Sequence, residues 1–300
     1  MKSNHEESEA RFAEALARTA GPGIKALFDN LAVTEIGANS DGTLWVAIAG
    51  TGLKVTGEVP LQWAEQVIAL LSAHYKTDVT PERPFLECRW PGTPHRVHGV
   101  VKPIVDNPSL TIRKHAPQVF PLSSWLYADA VFPERIMNAV KTRQNILVAG
   151  GTDSGKTSLL NALLGLVVQY EPTGRVLILE DTPELQCKGQ NVEFMQTSDE
   201  VALRRQVRAA MRMRPDRIII GEVRGAEALD LLKANNTGHK GSITTVHANS
   251  GAEVEARLEQ LVLEAGVPWQ RSLYTSAIDV VVYMEKLEEG RIIKTVSEVN

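Results

Sequence analysis

The run Gly150-Gly151-Thr152-Asp153-Ser154-Gly155-Lys156-Thr157 carries the most specific chemistry in this 300-residue chain. Its small residues let consecutive backbone N–H groups curl around an oxyanion, with the ammonium of Lys156 and the hydroxyl of Thr157 close by. The pattern is that of a phosphate-binding loop: the lysine reaches the β- and γ-phosphates of ATP, and the threonine hydroxyl faces Mg2+. Ser158 joins these residues as a nucleotide-binding candidate. The bland alternative is a chance Gly-rich turn. It loses ground because a strand-like run over 145–149 precedes the loop and an apolar helical run from Lys156 to about Val168 succeeds it.

Asp153 is awkward in that loop. A carboxylate about 6 Å from a phosphate charge is repelled by roughly 0.7 kcal/mol in water and by about 3 kcal/mol at an effective dielectric near 20. The sequence therefore predicts weaker ATP binding than an Asp153→Gly variant would show.

Hydrolysis also needs carboxylates beyond the loop, and two segments supply them. Ile218-Ile219-Ile220-Gly221-Glu222 is an apolar strand ending in an acid, the Walker B arrangement, and ligands of open α/β sheets sit at such carboxyl ends. Leu177-Ile178-Leu179 runs into Glu180, Asp181 and Glu184. Either cluster alone reads as a solvated loop; both together, after a phosphate loop, read as a site. His247 comes after the strand-like run 242–246 and is a further candidate at a strand end. His95 and His98 have an i, i+3 spacing without a carboxylate or cysteine to complete a metal site, and are expected to be strand or turn histidines.

The elements that must position these residues fall into two textures. Up to about residue 115 the pattern is α+β. A helix over 10–19 is broken at Gly21-Pro22-Gly23, strands are expected at 31–36, 43–48, 53–56, 85–90, 96–101 and 109–113, and a helix at 60–74. Residues 116–130, with Pro117 and Pro121, read as a linker. From 131 to 300 helical and strand-like runs alternate, as in an α/β domain with a largely parallel sheet. Runs at 175–179 and 217–220 are nearly continuous in apolar residues, the mark of strands buried on both faces, and 242–246 adds another. Thr197 and Glu200 have capping-box spacing for a helix reaching Met213, a helix is expected at 226–238, and 279–284 with 291–296 reads as a hairpin around Gly290.

Composition narrows the classes. A hydrophobic share of 43% with 23% charged residues is ordinary for soluble globular protein, and a net charge of -4 offers no global attraction to nucleic acid. Cys88 and Cys187 form neither a zinc spacing nor a disulfide framework and are expected to be reduced thiols. The N-terminus lacks the apolar core of a secretory signal.

Four boxes in fixed order bring a family resemblance. GGTDSGKT, LEDTPE, MRPDRIIIGEVRG and TGHKGSITTVHAN resemble the Walker A, Asp, Walker B and His boxes of the type II and type IV secretion ATPase superfamily. The similarity runs from about Ile24 to Val296, and ELQC, RMRPDRII and RLEQL look most like its conjugative-transfer branch. Asp153 departs from the usual glycine, and Lys240 with Ser242 departs from a Pro and Gly pattern. The resemblance implies a C-terminal RecA-like P-loop ATPase domain behind a smaller N-terminal α+β domain. It assigns Glu184 to activation of water, Glu222 to Mg2+ through water, and His247 to sensing the γ-phosphate. Arg96 and Arg113 match first-domain arginines that approach the nucleotide, and arginines in that role accelerate other P-loop enzymes by about 10³ to 10⁵. It further implies ATP and Mg2+ as ligands, a homohexameric ring, and a cytoplasmic location, peripheral on the inner face of the bacterial inner membrane. Inner-membrane secretion subunits and a coupling ATPase are the candidate partners, with no direct nucleic-acid binding expected. Competing readings are a type II secretion or pilus ATPase, and a nucleotide-gated scaffold with weak hydrolysis. A nucleic-acid motor is disfavoured by the charge, and a GTPase by the lack of an N-K-x-D segment.

Overall fold

The computed structural model describes residues 2–49, 51–115, 119–198, 200–287 and 290–299. The chain forms two compact units, 1–117 and 118–300.

In the first unit a long helix, α1 (Lys2–Asp29), precedes three strands, β1 (Val33–Ala38), β2 (Thr43–Ile48) and β3 (Gly52–Glu58). Helix α2 (Trp63–Tyr75) leads to β4 (Phe85–Arg89), β5 (Arg96–Val100) and β6 (Ser109–Arg113). The sheet is antiparallel with order β3-β2-β1-β6-β5-β4. Leu16, Ala20 and Ile24 recur at helical spacing on α1, as do Ala64, Val67, Ile68 and Leu71 on α2. These stripes close over Ile36, Val46, Leu86, Val97, Leu110 and Ile112, the inward residues of alternating strands. The break expected at Gly21-Pro22-Gly23 is a kink at Gly21 alone (φ 83°, ψ 163°), after which Pro22 restarts the helix where its missing N–H costs nothing.

The second unit contains β7 (Leu126–Tyr127), α3 (Phe132–Lys141), β8 (Ile146–Gly150), α4 (Lys156–Tyr170), β9 (Arg175–Glu180) and β10 (Asn191–Gln196). It continues through α5 (Leu203–Ala210), β11 (Arg217–Val223), α6 (Glu227–Asn236), β12 (Ile243–His247), α7 (Val254–Leu263), α8 (Arg271–Ala277), β13 (Val280–Leu287) and β14 (Gly290–Glu298). The sheet order is β10-β9-β11-β12-β8-β13-β14-β7. The six strands from β10 to β13 run parallel, and β14 returns antiparallel to β13. Alternate residues of the central strands serve two cores. Leu147, Leu177, Leu179, Ile218 and Ile220 face α5 to α8, while Ile146, Val148, Val176, Ile178 and Ile219 face α3 and α4. Burial of each such Leu or Ile contributes about 1.5–3 kcal/mol, which is why these runs are apolar on both faces.

Three expectations differ. The capping box at Thr197 does not form: Thr197 N–H donates to Glu180 O (3.1 Å), prolonging the β9–β10 pairing, so Thr197 stays committed to strand geometry and α5 starts only at Leu203. Strand β10 and helices α3, α7 and α8 stand where the sequence pattern predicts no element. Within the segment 116–130, residues 116–118 lie outside those described, but Trp125 is buried in the second unit and Leu126–Tyr127 pairs with β14, so that part belongs to the second sheet.

Candidate functional site

At the carboxyl edge of the second sheet, four strand ends converge. Strand β8 stops at Gly150, paired with His247 of β12 on one side and with Met284 of β13 on the other. Glu222 lies near the end of β11 beside β12, and Glu180 ends β9 beside β11. The sheet order thus gathers distant parts of the chain onto one edge: Lys156 and His247, in contact there, are 91 positions apart in sequence.

The loop between β8 and α4 is built for backbone approach. A Cβ at Gly150 would lie 2.5 Å from Met284 O and 2.6 Å from Ser154 Oγ, whereas one at Gly151 would meet nothing within 4 Å. Asp153 (φ 60°) and Gly155 (φ 91°) take left-handed backbone, and Ser154 Oγ donates to Gly151 O (2.9 Å), which closes the loop on itself. Helix α4 begins at Lys156, so its first N–H groups point out of the helix toward the loop, the arrangement that binds anions. Lys156 is nearly buried, and its Nζ donates to Gly150 O (3.0 Å), Gly151 O (2.8 Å) and His247 Nδ1 (3.2 Å).

His247 links the lysine to the acid of β11. Its Nε2 lies 2.8 Å from Glu222 Oε1, so the arrangement fits a neutral ring with the proton on Nε2 and the Nδ1 lone pair turned to Lys156. Burial lowers the His247 pKa; Glu222 pulls it up, while Lys156, Arg224 and Arg257 push it down, and the net direction is down. Glu222 is gripped from the other side by the guanidinium of Arg224, which also lies 3.8 Å from Asp181. Thr245 Oγ1 donates to Gly221 O (2.8 Å), fixing β11 where its register with β12 shifts.

The segment after β9 is anchored through its backbone. Buried Glu180 accepts two N–H bonds at one oxygen, from Glu184 (2.8 Å) and Leu185 (2.9 Å). From α4, Asn161 donates to Glu184 O (3.1 Å) and accepts from Gln186 N–H (2.7 Å). Glu184 is thus held at both its N–H and its C=O. Gly221 makes room for this: a Cβ there would lie 3.0 Å from Glu180 Cγ.

Residues 69–288 match the family described as "Type II/IV secretion system protein". The chain belongs to that family. Among members of the type II/IV secretion family, it is 37% identical over 292 residues to "Conjugal transfer protein TrbB" of Rhizobium radiobacter, covering 96% of this chain and 90% of that one. It is 33% identical over 296 residues to "Type IV secretion system protein PtlH" of Bordetella pertussis, covering 85% and 86%. Among solved structures it resembles the VirB11 ATPase of the Brucella suis type IV secretion system, in complex with sulphate, at TM-score 0.53 and 25% identity over 97% and 96% of the two chains. The fold is also that of the pilus retraction motor PilT with bound ADP, at TM-score 0.68 and 18% identity over 92% and 82%. The second unit is accordingly a RecA-like ATPase domain of this family, and the first is its smaller α+β domain.

The second unit brings together the loop 150–158, Glu222 and His247, with Glu184 on the neighbouring anchored segment. Arg96 and Arg113 stand directly opposite each other on β5 and β6 of the first unit, where Arg113 lies 3.6 Å from Glu35. His95 and His98 are in that unit too: His95 Nδ1 accepts from His115 N–H (3.1 Å), and His98 lies 3.5 Å from Glu87. Both cysteines are free and half-buried, and burial pushes the Cys88 thiol up to about 12, making it a poor nucleophile.

Five residues that the sequence pattern gives no separate role hold the site together in the second unit. Glu180 and Asn161 hold Glu184, and Arg224 holds Glu222. Arg291 on β14 donates from Nε to Asp153 O (3.1 Å), and Lys286 on β13 approaches Asp153 Oδ2 at 3.6 Å. The LEDTPE run includes Glu180 and the GEVRG run hints at Arg224; nothing near Arg291 or Lys286 in sequence marks them.

Proposed function

We propose that the chain is an ATPase that hydrolyses ATP to ADP and phosphate in a Mg2+-dependent reaction and so powers conjugative type IV secretion. The observation that carries this reading is the chain of contacts Lys156–His247–Glu222 at the carboxyl edge of the sheet, beside a backbone anion cradle. The donor set fits magnesium, a hard cation that prefers oxygen: Thr157 offers a hydroxyl and Glu222 a carboxylate acting through water. When bound, the ion would neutralise charge on the β- and γ-phosphates.

The chain's own residues then divide the work. The N–H groups of the loop and of the first α4 turn, including Thr157 and Ser158, hold phosphate oxygens, and Lys156 turns from Gly150 O and Gly151 O to the β- and γ-phosphates. Glu184 accepts a proton from the attacking water as its oxygen bonds to the γ-phosphorus and the bond to the β–γ bridging oxygen breaks. His247, released by Lys156, turns its Nε2–H from Glu222 to an oxygen of the γ-phosphate. Arg96 and Arg113 stabilise the charge that develops on the transferred group.

The assembly is proposed to be a ring-shaped homohexamer, as the resemblance of the four boxes implies, working in the conjugative machinery. Among the described residues no helix is long and apolar enough to cross a membrane. Attachment is proposed to be peripheral, through inner-membrane subunits on the cytoplasmic side. The decisive experiment is phosphate release from the purified protein with ATP and Mg2+. Lys156→Ala is expected to abolish it with the fold intact, and Glu222→Gln to bind ATP but turn over slowly. Undiminished turnover by Lys156→Ala would end the reading.

A further inference from the structure

The two strands of the terminal hairpin place Lys286 and Arg291 directly opposite each other. Like charges at opposed positions of an antiparallel pair are destabilising unless an anion lies between or beside them. The anion here is Asp153 of the phosphate loop, 3.6 Å from Lys286 Nζ, while its carbonyl accepts from Arg291 Nε at 3.1 Å. The contact is more than electrostatic. The side chain of Arg291 lies across Gly155, so that a Cβ on Gly155 would collide with Arg291 Cδ and fall 2.9 Å from its Nε. One side chain, 138 positions beyond Asp153, thus bonds the carbonyl of that left-handed residue and lies against the second one, Gly155.

We propose that Arg291, backed by Lys286, is a positioning residue for the phosphate loop: the terminal hairpin grips the outer side of the loop, holds its backbone in the phosphate-accepting curl, and neutralises Asp153. This rests on the ATPase reading above. It also changes the consequence of Asp153. The carboxylate that would repel the phosphates already has a cation against it, so its cost to ATP binding depends on the hairpin and emerges in full only when Lys286 is removed.

The test is calorimetric titration of the full chain with ATP and Mg2+, together with amide hydrogen exchange of residues 151–155 without nucleotide. Arg291→Ala is expected to weaken ATP binding about fivefold, the loss of one exposed charge-assisted bond, and to speed exchange in the loop. Lys294→Ala, which breaks the exposed Lys294–Glu285 pair on the same hairpin (2.8 Å), is expected to change neither. Lys286→Met is expected to weaken ATP binding about threefold, and Asp153→Asn in that background to restore it, which a general loss of hairpin stability would not do. Unchanged affinity and exchange in Arg291→Ala, equal losses in Lys294→Ala, or no rescue by Asp153→Asn would each overturn the proposal. If the unmodified chain bound no ATP, the ATPase reading itself would fall and the proposal with it. If the unmodified chain binds and Lys156→Ala does not, the hairpin variants alone decide the matter.

Discussion

Glu180 is buried and lies outside the residues proposed to touch nucleotide, yet Glu180→Gln should slow hydrolysis. One carboxylate oxygen accepts the N–H groups of Glu184 and Leu185 at 2.8 and 2.9 Å. A bond to a charged acceptor contributes about 1.5–3 kcal/mol, against about 0.5–1.5 for a neutral one, so glutamine keeps the shape and loses about 1 kcal/mol per bond. Two bonds make about 2 kcal/mol, which raises the ratio of displaced to held Glu184 by a factor of about 30. Asn161 still holds Glu184 O and Gln186 N–H, which limits the displacement. The expectation is a fall in kcat of a few-fold up to about thirtyfold at saturating ATP, with the Kd for ATP changed less than about twofold. Steady-state phosphate release and calorimetric titration measure the two separately. Unchanged kcat would refute the anchoring role, and parallel loss of kcat and affinity would show that Glu180 supports the phosphate loop instead.

Gly241 has φ 83°, and a Cβ there would sit 2.8 Å from Nη1 of fully buried Arg217, which is bonded to Gly241 O, Val140 O and Glu171. Gly241→Ala should therefore cost about 1–2 kcal/mol in backbone strain and a further 1.5–3 in disturbed charged hydrogen bonds, lowering the Tm of the second unit by roughly 5–20 °C; a shift under about 2 °C by calorimetry would contradict the geometry. His247 has a pKa depressed below the ordinary histidine value, so its neutral form contributes stability above about pH 6.5 that is lost as pH falls, because the unfolded chain takes up the proton first. The unmodified protein should accordingly lose more Tm than His247→Gln between about pH 7.5 and 5.5, and equal slopes would exclude the histidine as the source. Arg96→Ala and Arg113→Ala should each lower kcat by about 10³ or more if they stabilise transferred charge; losses confined to Tm would assign them to the first sheet alone.

The central strands are legible in the sequence because each is buried on both faces and has to be apolar on both; the runs 175–179 and 217–220 could hardly be anything else in this context. Helix α4 and the loop before it are legible for a related reason, since a glycine-rich strand-to-helix turn with Lys and Thr at fixed places has few other uses. Strand β10 is not, because it lies at the sheet edge with four of its six residues exposed, and its pattern lacks a buried face to betray it. Helix α5 is shorter than its sequence signals for the opposite reason. The Thr197 and Glu200 spacing is a local signal, and the tertiary bond from Thr197 N–H to Glu180 O overrides it.

The site divides along the same line. The groups of the second unit that are proposed to act on nucleotide occur in short motifs, because the chemistry fixes their type and a strand end fixes their place: Lys156 and Thr157 after β8, Glu222 near the end of β11, His247 at the end of β12. Groups that hold these in place carry no such constraint on sequence position. Asn161 works because α4 brings it beside the segment after β9, and Arg291 works because parallel pairing of β13 with β8 runs up to Met284 and Gly150 and carries the hairpin past the loop. Asp153 shows how far that difference reaches. Taken with its sequence neighbours it is a carboxylate in a phosphate site with only repulsion to offer, about 3 kcal/mol at a dielectric near 20. With Lys286 at 3.6 Å the same carboxylate is half of an exposed ion pair, and the field it presents to a phosphate is that of a dipole, which falls off faster with distance than a charge. A motif thus names the groups that perform a reaction, while the energy of that reaction also depends on residues that only the sheet order brings near.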